Sequence, residues 1–382
     1  MSDLETLKSK ALDNPFSFSL VDARKLRDHI LKDKKKMLHI REMILRVYDI
    51  NDRILLELSD ATKGFLGKQN KKSTDKRIKE YYRRIKGGLR KDPKGKVILA
   101  EGDSWFQFPL LIDDIIDSLN NYDTNAIYSI AYGGDWITNI IYQEDYVSEL
   151  SVHDPDIFLV SGGGNDLVGG NRLATMVDRR PQPLKYTSID QLMALTDLSD
   201  TERRYIIEAQ PFIRKEFYAF INTLMVMYLS IFQSIINSGK YNAMLILTHG
   251  YDAPFPRWKS TNLFNLGHFI EQRLVKSGRW LKRPLSIKGI PEDKHRATLV
   301  SMIFEVNQMF KSVAKEFENV YHIDCRGVAP NQKDWVDELH LTSKNFKKIG
   351  AVYQKFVDGS IRNHQNWSQI SQTKVARVTE II

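Results

Sequence analysis

A serine that follows a predicted strand, and an aspartate and a histidine spaced three apart, are the residues in this sequence best suited to chemistry. Ser104 lies in the tripeptide GDS, and Asp337 and His340 lie in the segment DWVDELHLTSKN. A carboxylate can orient an imidazole, and that imidazole can take the proton of a serine hydroxyl.

The serine also has a structural alternative. A helix is predicted directly after it, in LLIDDIIDSLNN, and Asp103 or Ser104 could serve only as the N-cap of that helix. The same position would place the serine hydroxyl near free helix amides that favour developing negative charge. Asp103 is expected to hold the turn through backbone hydrogen bonds.

Two glycine-rich segments follow other predicted strands. AYGGDW contains Gly133 and Gly134, and SGGGNDLVGG contains Asn165 and Asp166. Glycine lets the backbone approach a ligand closely and offers its amide as a donor. Because ligands bind beyond the carboxyl ends of parallel strands, we expect these segments to lie beside Ser104.

Short apolar runs of strand length must position these residues. They alternate with helical stretches, which indicates an α/β protein with a mostly parallel sheet covered on both faces. Five such runs are predicted as strands: Lys96–Ala100, Ala126–Ala131, Ile157–Ser161, Met244–Thr248 and Val320–Asp324.

In these four segments the sequence resembles the SGNH, or GDSL, hydrolase family. The family's blocks occur in order as GDS, a glycine at Gly134, GGND ending at Asp166, and DELH ending at His340. The resemblance covers about residues 96–358. It implies a three-layer α/β/α, flavodoxin-like sheet of five parallel strands, and a serine esterase or lipase that forms an acyl-enzyme.

The resemblance also implies a role for each matched residue. Ser104 would be the nucleophile, His340 the general base and acid, and Asp337 the group that orients the imidazole. The amides of Ser104 and Gly134 and the side chain of Asn165 would form the oxyanion hole. No metal and no organic cofactor would be needed. The block DELH departs from the family pattern, because Glu338, Leu339 and Leu341 stand where glycine or proline is common.

Three further residues are candidates for substrate binding. Trp105 could line an acyl or aromatic pocket, although packing in the core is an equal alternative. His249 follows the fourth predicted strand and is a rival base by position. Arg257, together with Arg279 and Arg283, could bind an anionic substrate, although arginines are common in exposed loops.

The resemblance leaves the first quarter of the chain unexplained. We expect residues 1–95 to form a basic helical extension and residues 96–382 to form the hydrolase domain. Long insertions are predicted at about residues 167–240 and 250–298. Long connections within an ordered domain often form lids or binding loops.

The net charge of +9 is concentrated in one stretch. Residues 63–96 contain 14 Lys and Arg and three acidic residues. Such a stretch could attract the phosphates of nucleic acid or of an anionic membrane. A second hypothesis is therefore a hydrolase-fold adaptor that binds through this region, and the plain alternative is a solvated helical face. A degenerate core acting only in assembly is disfavoured, because every catalytic letter is present.

Composition favours a reducing compartment. Cys325 is the single cysteine, so no internal disulfide can form. The segment MSDLETLKSKALDNPF lacks the apolar core of a signal peptide. No window contains the roughly 18 uninterrupted apolar residues of a membrane span. We expect a cytoplasmic enzyme acting on an acyl ester, which could be a lipid, an acylated sugar or another ester; the sequence does not indicate its oligomeric state.

Overall fold

A single parallel sheet organises the fold. The structure, a computed structural model, describes residues 2–33, 36–48, 65–108, 112–195, 197–257 and 280–382. Six strands form the sheet: β1 (Lys96–Gly102), β2 (Asn125–Ser129), β3 (Ile157–Ser161), β4 (Leu245–His249), β5 (Val320–Asp324) and β6 (Val375–Arg377).

The strands lie in the order β2-β1-β3-β4-β5-β6, and each neighbouring pair is parallel. The first five follow the 2-1-3-4-5 order of flavodoxin-like sheets. The five predicted strands are confirmed, each to within two residues at either end. The sheet has six strands rather than five, because β6 is only three residues long and too short to give a strand pattern.

Helices flank the sheet, which confirms the predicted α/β class. In chain order they are α1 (Asp3–Asp13), α2 (Leu20–Lys32), α3 (Lys36–Tyr48), α4 (Phe65–Lys86), α5 (Ile115–Asn120), α6 (Ile137–Gln143), α7 (Asp145–His153), α8 (Gly164–Val168), α9 (Ile189–Met193), α10 (Asp200–Ala209), α11 (Lys215–Asn237), α12 (Lys282–Ile287), α13 (His295–Ala314), α14 (Ser343–Val357), α15 (Trp367–Thr373) and α16 (Val378–Ile381).

The most apolar of the described helices, α11, is a core helix. It is long and apolar enough to cross a membrane by length and composition alone, but most of its residues are buried inside the protein. It contacts α1, α2, α3 and α13. Within the first predicted insertion, the sequence predicts one long helical stretch from about residue 201 to beyond 232. The structure divides this stretch into α10 and α11, since Pro211 lies between them.

The N-terminal helices pack on this core. Ala11, Leu26 and Ile44 belong to the same buried cluster as the strands of the sheet. The spacing of apolar residues such as Ile40, Ile44, Leu55 and Leu58 near three and four predicts helices over residues 1–90. Helices are confirmed in the described part of this range, whereas Leu55 and Leu58 lie outside the described residues. The two glycines and the polar run of KGFLGKQNKKSTDK predict a break in the helical pattern. That prediction is wrong over the described part of the segment, because α4 is continuous from Phe65.

Helix α4 packs on β2 through side chains of the basic stretch, residues 63–96, which the sequence indicated as a possible contact region for nucleic acid or a membrane. Tyr81 is buried against Tyr128. The guanidinium of Arg84 donates to the carbonyls of Asn120 and Tyr122, both at 2.6 Å. Arg77 is 3% exposed. Packing and hydrogen bonds within the protein therefore already use Arg77, Tyr81 and Arg84, and contact of residues 63–96 with nucleic acid or a membrane stays a prediction for the other cationic residues of the stretch.

Candidate active site

The carboxyl ends of β1, β2 and β3 meet, because β1 pairs with both other strands. Gly102 at the end of β1 lies opposite Ser161 at the end of β3. A Cβ atom at position 102 would come within 2.6 Å of the Ser161 carbonyl oxygen, so only glycine fits there. The Ser104 turn therefore lies beside the glycine-rich segment after β3.

Ser104, His340 and Asp337 form a continuous chain of hydrogen bonds. The Ser104 Oγ lies 2.7 Å from His340 Nε2, and His340 Nδ1 lies 2.7 Å from Asp337 Oδ2. A carboxylate only accepts hydrogen bonds, so Nδ1 carries the proton and Nε2 is left to accept from the serine hydroxyl. The three residues that the sequence pattern singled out are thus brought together from positions 236 residues apart in the chain.

A tight turn holds the aspartate and the histidine. Asp337 Oδ1 accepts hydrogen bonds from the backbone amides of Leu339 (2.7 Å) and His340 (2.8 Å). The Val336 amide donates to the His340 carbonyl at 2.8 Å and closes the turn. The spacing of three residues therefore lets one carboxylate fix both the backbone and the imidazole.

The environment of Asp337 keeps its carboxylate ionised. Burial raises its pKa, but the charge and hydrogen bond of His340 and the two backbone amides outweigh burial, so the pKa lies below the ordinary value. The imidazole ring of His340 also packs on the ring of Phe108, with centroids 4.5 Å apart. Both contacts restrict the orientation of the ring.

Asp103 holds the turn that presents Ser104, as expected from the sequence. Its Oδ1 accepts from the Trp105 amide at 3.0 Å, and its Oδ2 accepts from the Tyr251 hydroxyl at 2.6 Å. The same hydroxyl accepts from the Gly164 amide at 3.0 Å. Tyr251, which sequence reasoning missed, therefore joins the nucleophile turn to the segment that carries Asn165.

The helix after Ser104 begins later than predicted. Helix α5 starts at Ile115, and Asp114 is its N-cap, with Oδ1 accepting from the Asp117 amide at 3.0 Å. The expectation that Ser104 adjoins a helix N-terminus is therefore wrong. The alternative, in which Asp103 or Ser104 caps that helix, is wrong for the same reason.

The three residues predicted as an oxyanion hole lie at neighbouring strand ends. Gly134 has φ +92°, which favours glycine, within a turn closed by a hydrogen bond from the Asp135 amide to the Tyr132 carbonyl. Asn165 uses one hydrogen of its Nδ2 to donate to the Asp135 carbonyl at 2.8 Å. The second hydrogen of that amide remains available to a ligand.

Helix α4 supports this glycine turn through Asn70, a buried residue that sequence reasoning also missed. Its Oδ1 accepts from the Gly133 amide at 3.1 Å, and its Nδ2 donates to the Gly133 carbonyl at 3.2 Å. Three residues after Ser104, the Gln107 side chain donates to the Asn70 carbonyl at 3.1 Å. No local sequence motif links position 70 to position 133, because the two residues are far apart in the chain and come into contact only in the folded protein.

A cavity that is partly open to solvent adjoins Ser104. Ser104, Trp105 and Asn165 line it, whereas Gly134 and His340 are not among its lining residues. Trp105 is nearly completely buried, and its indole Nε1 donates to the Leu339 carbonyl at 3.1 Å. Trp105 thus combines its predicted place in a pocket with a structural contact to the DELH turn.

His249 lies beneath this site and has no access to a substrate. It is completely buried, its ring is stacked on Trp105, and its Nδ1 donates to the Gly250 carbonyl at 2.8 Å. Burial lowers its pKa to about 4, so the imidazole is neutral near pH 7. The prediction that His249 binds substrate or acts as a rival base is wrong, because Trp105 separates it from the cavity.

Arg257 also has a structural role. Its guanidinium donates to the carbonyls of Gln332 (3.2 Å) and Trp335 (3.1 Å), just before the DELH turn. It is not among the described residues that line the cavity, and the suggestion that it binds an anionic substrate stays a prediction. Arg283 is exposed, and Arg279 lies outside the described residues.

Glu338 explains why the DELH block departs from the family pattern. Its carboxylate is 1% exposed and accepts four backbone amides. Oε1 accepts from Arg257 (3.1 Å) and Lys282 (2.9 Å), and Oε2 accepts from Trp280 (3.1 Å) and Leu281 (3.2 Å). A glycine here could not connect the turn to these two segments. The sequence indicated this role only by placing a charged residue, Glu338, close to the candidate base His340.

One group of side chains among the described residues has the composition of a metal site. The ligand atoms of Glu5, His39 and Glu42 lie within 4.8 Å of one another. The Lys8 ammonium group already pairs with Glu5 (2.7 Å) and Glu42 (2.6 Å). A second cation there would be repelled, so this group does not suit a metal.

Comparison with known proteins adds only distant likenesses. No protein-family model and no curated protein matches the chain. One similar structure is a candidate GDSL-like lipase from Parabacteroides merdae ATCC 43184, with 12% identity, a TM-score of 0.36, and coverage of 69% of this chain and 95% of that chain. Another is a family 3 carbohydrate esterase from Clostridium thermocellum, with 14% identity, a TM-score of 0.35, and coverage of 70% and 98%. These values do not identify a family.

Proposed function

We propose that this protein is a serine hydrolase that cleaves carboxylic esters, with Ser104 as its nucleophile. The observation that carries the proposal is the chain of hydrogen bonds, each 2.7 Å long, from Ser104 through His340 to Asp337. This geometry gives a hydroxyl a base within proton-transfer distance, and it gives that base a carboxylate that fixes its tautomer.

The proposed reaction has two stages. In the first, Ser104 Oγ attacks the acyl carbon while its proton passes to His340 Nε2; the intermediate then collapses, and His340 returns the proton to the leaving alcohol. In the second, His340 takes a proton from water, and the hydroxide oxygen attacks the acyl carbon bound to Ser104. His340 then returns that proton to Ser104 Oγ as the acid leaves.

Donors around the acyl carbon would stabilise the negative oxygen in both stages. In the proposal these are the amides of Ser104 and Gly134 and the free hydrogen on Asn165 Nδ2. Removing one such donor typically costs about 2.7 to 4 kcal/mol of transition-state stabilisation.

Labelling with a fluorophosphonate tests the nucleophile. Wild type should be labelled at Ser104 and should hydrolyse p-nitrophenyl acetate. Ser104→Ala should lose the label, and its kcat should fall by roughly three orders of magnitude or more. Ser148→Ala, which alters an exposed serine on α7, is the matched control and should keep both. Equal labelling of wild type and Ser104→Ala would refute the proposal.

We also propose that α4 brings the enzyme to anionic membrane surfaces. Five cationic residues are exposed at spacings of four and three along this helix, which places them on one face: Lys72, Lys76, Lys79, Arg83 and Lys86. We call this face the basic stripe. Asn70 lies on the opposite, buried face of the same helix and contacts the Gly133 turn, so a membrane bound to the stripe would be separated from that turn by the width of the helix, about 10 Å. A membrane is favoured over nucleic acid because it also presents acyl esters.

Vesicle binding by the full chain tests the basic stripe. At about 50 mM salt, wild type should bind vesicles that contain phosphatidylserine, and about 500 mM salt should release it because screening weakens surface attraction. The triple variant K72E/K76E/K79E should bind weakly. K315E/K344E/K347E, at exposed lysines elsewhere, should bind like wild type. Binding to duplex DNA or RNA without vesicle binding would contradict the membrane proposal, as would no binding at all.

A further inference from the structure

We propose that the cavity beside Ser104 binds an aliphatic acyl chain, so that the substrates are esters of medium-length or long unbranched acids. The inference rests on the proposed function, because it assigns the cavity to one side of the scissile bond. The inference is based on where polar and apolar side chains lie around the cavity. The polar groups open to a ligand lie at one end, beside Ser104 and Asn165, and aliphatic side chains form the walls.

One face of α13 forms much of the wall. Leu299, Met302, Ile303 and Val306 have the spacing i, i+3, i+4, i+7, which places them on a single helix face. All four line the cavity, and each is at most 7% exposed. The apolar face of α13 is therefore turned towards the cavity, which begins at the Ser104 hydroxyl.

Apolar residues from other elements complete the enclosure. Leu167 and Val168 of α8 line the cavity next to Asn165 in the sequence, and Leu281 lines it from the segment held by Glu338. The described lining residues include no lysine, arginine or histidine. The described part of the lining therefore offers no cation for a carboxylate, phosphate or sulfate of a substrate.

The polar lining groups away from Ser104 are already used within the protein. Tyr251 donates to Asp103, and the Trp335 indole donates to the Ala329 carbonyl at 3.0 Å. Asp252 accepts from the backbone amides of Ala253, Gly327 and Ala329. A sugar placed here would bury hydroxyl groups without partners, which is unfavourable, whereas an alkyl chain would leave no polar group unsatisfied.

The position of His340 decides which half of the ester enters the cavity. His340 must give a proton to the leaving alcohol, so the alcohol must lie next to Nε2. Ser104 lines the cavity, but His340 does not. The group that extends into the cavity is consequently the one that stays attached to Ser104 after the alcohol leaves, which is the acyl group.

A series of p-nitrophenyl esters from acetate to decanoate tests the inference. Wild-type kcat/KM should rise by roughly 2- to 4-fold for each added methylene until the cavity is full, since each methylene leaves water for an apolar wall. Ethyl octanoate and octyl acetate are isomers that carry the long chain on opposite sides of the ester. Ethyl octanoate should be hydrolysed at least about 10-fold faster, as several buried methylenes imply.

Variants of α13 locate the chain. Val306→Phe should lower kcat/KM for the octanoate at least about 10-fold, because it fills space that several methylenes would occupy. It should lower kcat/KM for the acetate several-fold less than for the octanoate, and thermal unfolding reports whether the variant folds. Val152→Phe, at an exposed valine of α7, is the matched control and should leave both activities unchanged. Ile303→Ala should shift the preferred acid to a longer chain, and it decides the test if Val306→Phe does not fold.

Three results would overturn the inference: a kcat/KM that falls from acetate to octanoate in wild type, faster hydrolysis of octyl acetate than of ethyl octanoate, or equal losses on both esters in Val306→Phe. Failure of the acyl-chain assignment is distinguishable from failure of the proposed function. In the first case Ser104 still reacts with a fluorophosphonate and the acetate is still hydrolysed. In the second case neither occurs.

Discussion

At the scale of single residues, each of the four residues of the DELH turn makes a different contact. The Asp337 carboxylate orients the imidazole of His340. Glu338 points to the other side and holds the segments around positions 257 and 280–282 through four backbone amides. Leu339 lines the cavity, and its carbonyl accepts the Trp105 indole N–H. The turn therefore couples the proposed base, the nucleophile turn and the cavity wall.

Glu338→Gln should loosen this turn. The amide NH₂ would replace one carboxylate oxygen that now accepts two backbone N–H groups, so donors would face donors in a buried place. Unsatisfied buried groups typically cost about 1–3 kcal/mol each. We expect thermal unfolding at a lower temperature and a fall in kcat of about 10-fold or more, because small displacements of a base are costly to catalysis.

Glu292→Gln is the matched control for that variant. Glu292 pairs with the side chain of Lys282, whose backbone amide is one of the four bound by Glu338, but Glu292 is exposed. It should leave kcat and thermal stability near wild type. Rates of fluorophosphonate labelling, measured well below the unfolding temperature, separate positioning from stability. Wild-type labelling and kcat in Glu338→Gln would show that the carboxylate does not position His340.

At the scale of elements, α4 is part of the proposed site rather than a separate arm. Asn70 holds the Gly133 peptide from both sides. Two turns further along the same face, Arg77 donates to the Phe106 carbonyl at 2.5 Å and pairs with the buried Asp114 at 2.7 Å. The helix thus binds the turn after β2 and the segment after Ser104 together. A fragment of residues 1–95 alone would expose these buried polar groups, so the basic stripe is best tested in the full chain.

Asn70→Ala should reduce turnover more than binding. Without the side-chain amide, the Gly133-Gly134 turn loses two hydrogen bonds, and the proposed donor at Gly134 is held less firmly. We expect kcat to fall about 10-fold, which is less than the 10²- to 10³-fold typical of losing an oxyanion donor outright. KM should change by less than about 3-fold, because ground-state contacts to the ester are hardly altered. Steady-state kinetics with a p-nitrophenyl ester measure both.

Lys71→Ala provides the comparison for Asn70→Ala, because Lys71 is the next residue of α4 and is exposed. It should behave as wild type in kinetics and in thermal unfolding. If Asn70→Ala keeps the wild-type kcat, the turn closed by Tyr132 and Asp135 is sufficient by itself to place Gly134, and the helix has no part in catalysis.

At the scale of the whole molecule, the sequence predicts the sheet better than the contacts across it. Each of the first five strands is an apolar run bounded by turn residues, and such local patterns survive folding. The placement of Ser104 beside His340 followed from the rule that parallel strand ends meet. Asn70, Glu338 and Tyr251 could not be assigned roles, because their partners are distant in sequence and carry no motif. His249 was misassigned since a strand end does not reveal whether a ring faces the cavity or the core.

The buried histidines make the stability of the whole fold depend on pH. Burial lowers the pKa of His249 to about 4 and that of His322 to about 3, from an ordinary value of 6.5. Below pH 6.5 the unfolded chain therefore binds protons that the folded protein does not, and stability is lost as the pH falls. For His249 the loss begins near pH 6.5 and is complete near pH 4. Between pH 7.5 and 5, His249 alone should lower the free energy of unfolding by about 2 kcal/mol.

His249→Phe isolates this contribution, because phenylalanine can keep the stacking on Trp105 and cannot bind a proton. Chemical denaturation at pH 7.5 and 5 should give a difference in unfolding free energy that is about 2 kcal/mol smaller in His249→Phe than in wild type. His29→Phe, at an exposed histidine of α2, should leave the wild-type difference unchanged. An equal pH dependence in wild type and His249→Phe would mean that the buried ring is protonated in the folded protein. That result would contradict the conclusion that the imidazole of His249, stacked on Trp105, is neutral in the folded protein.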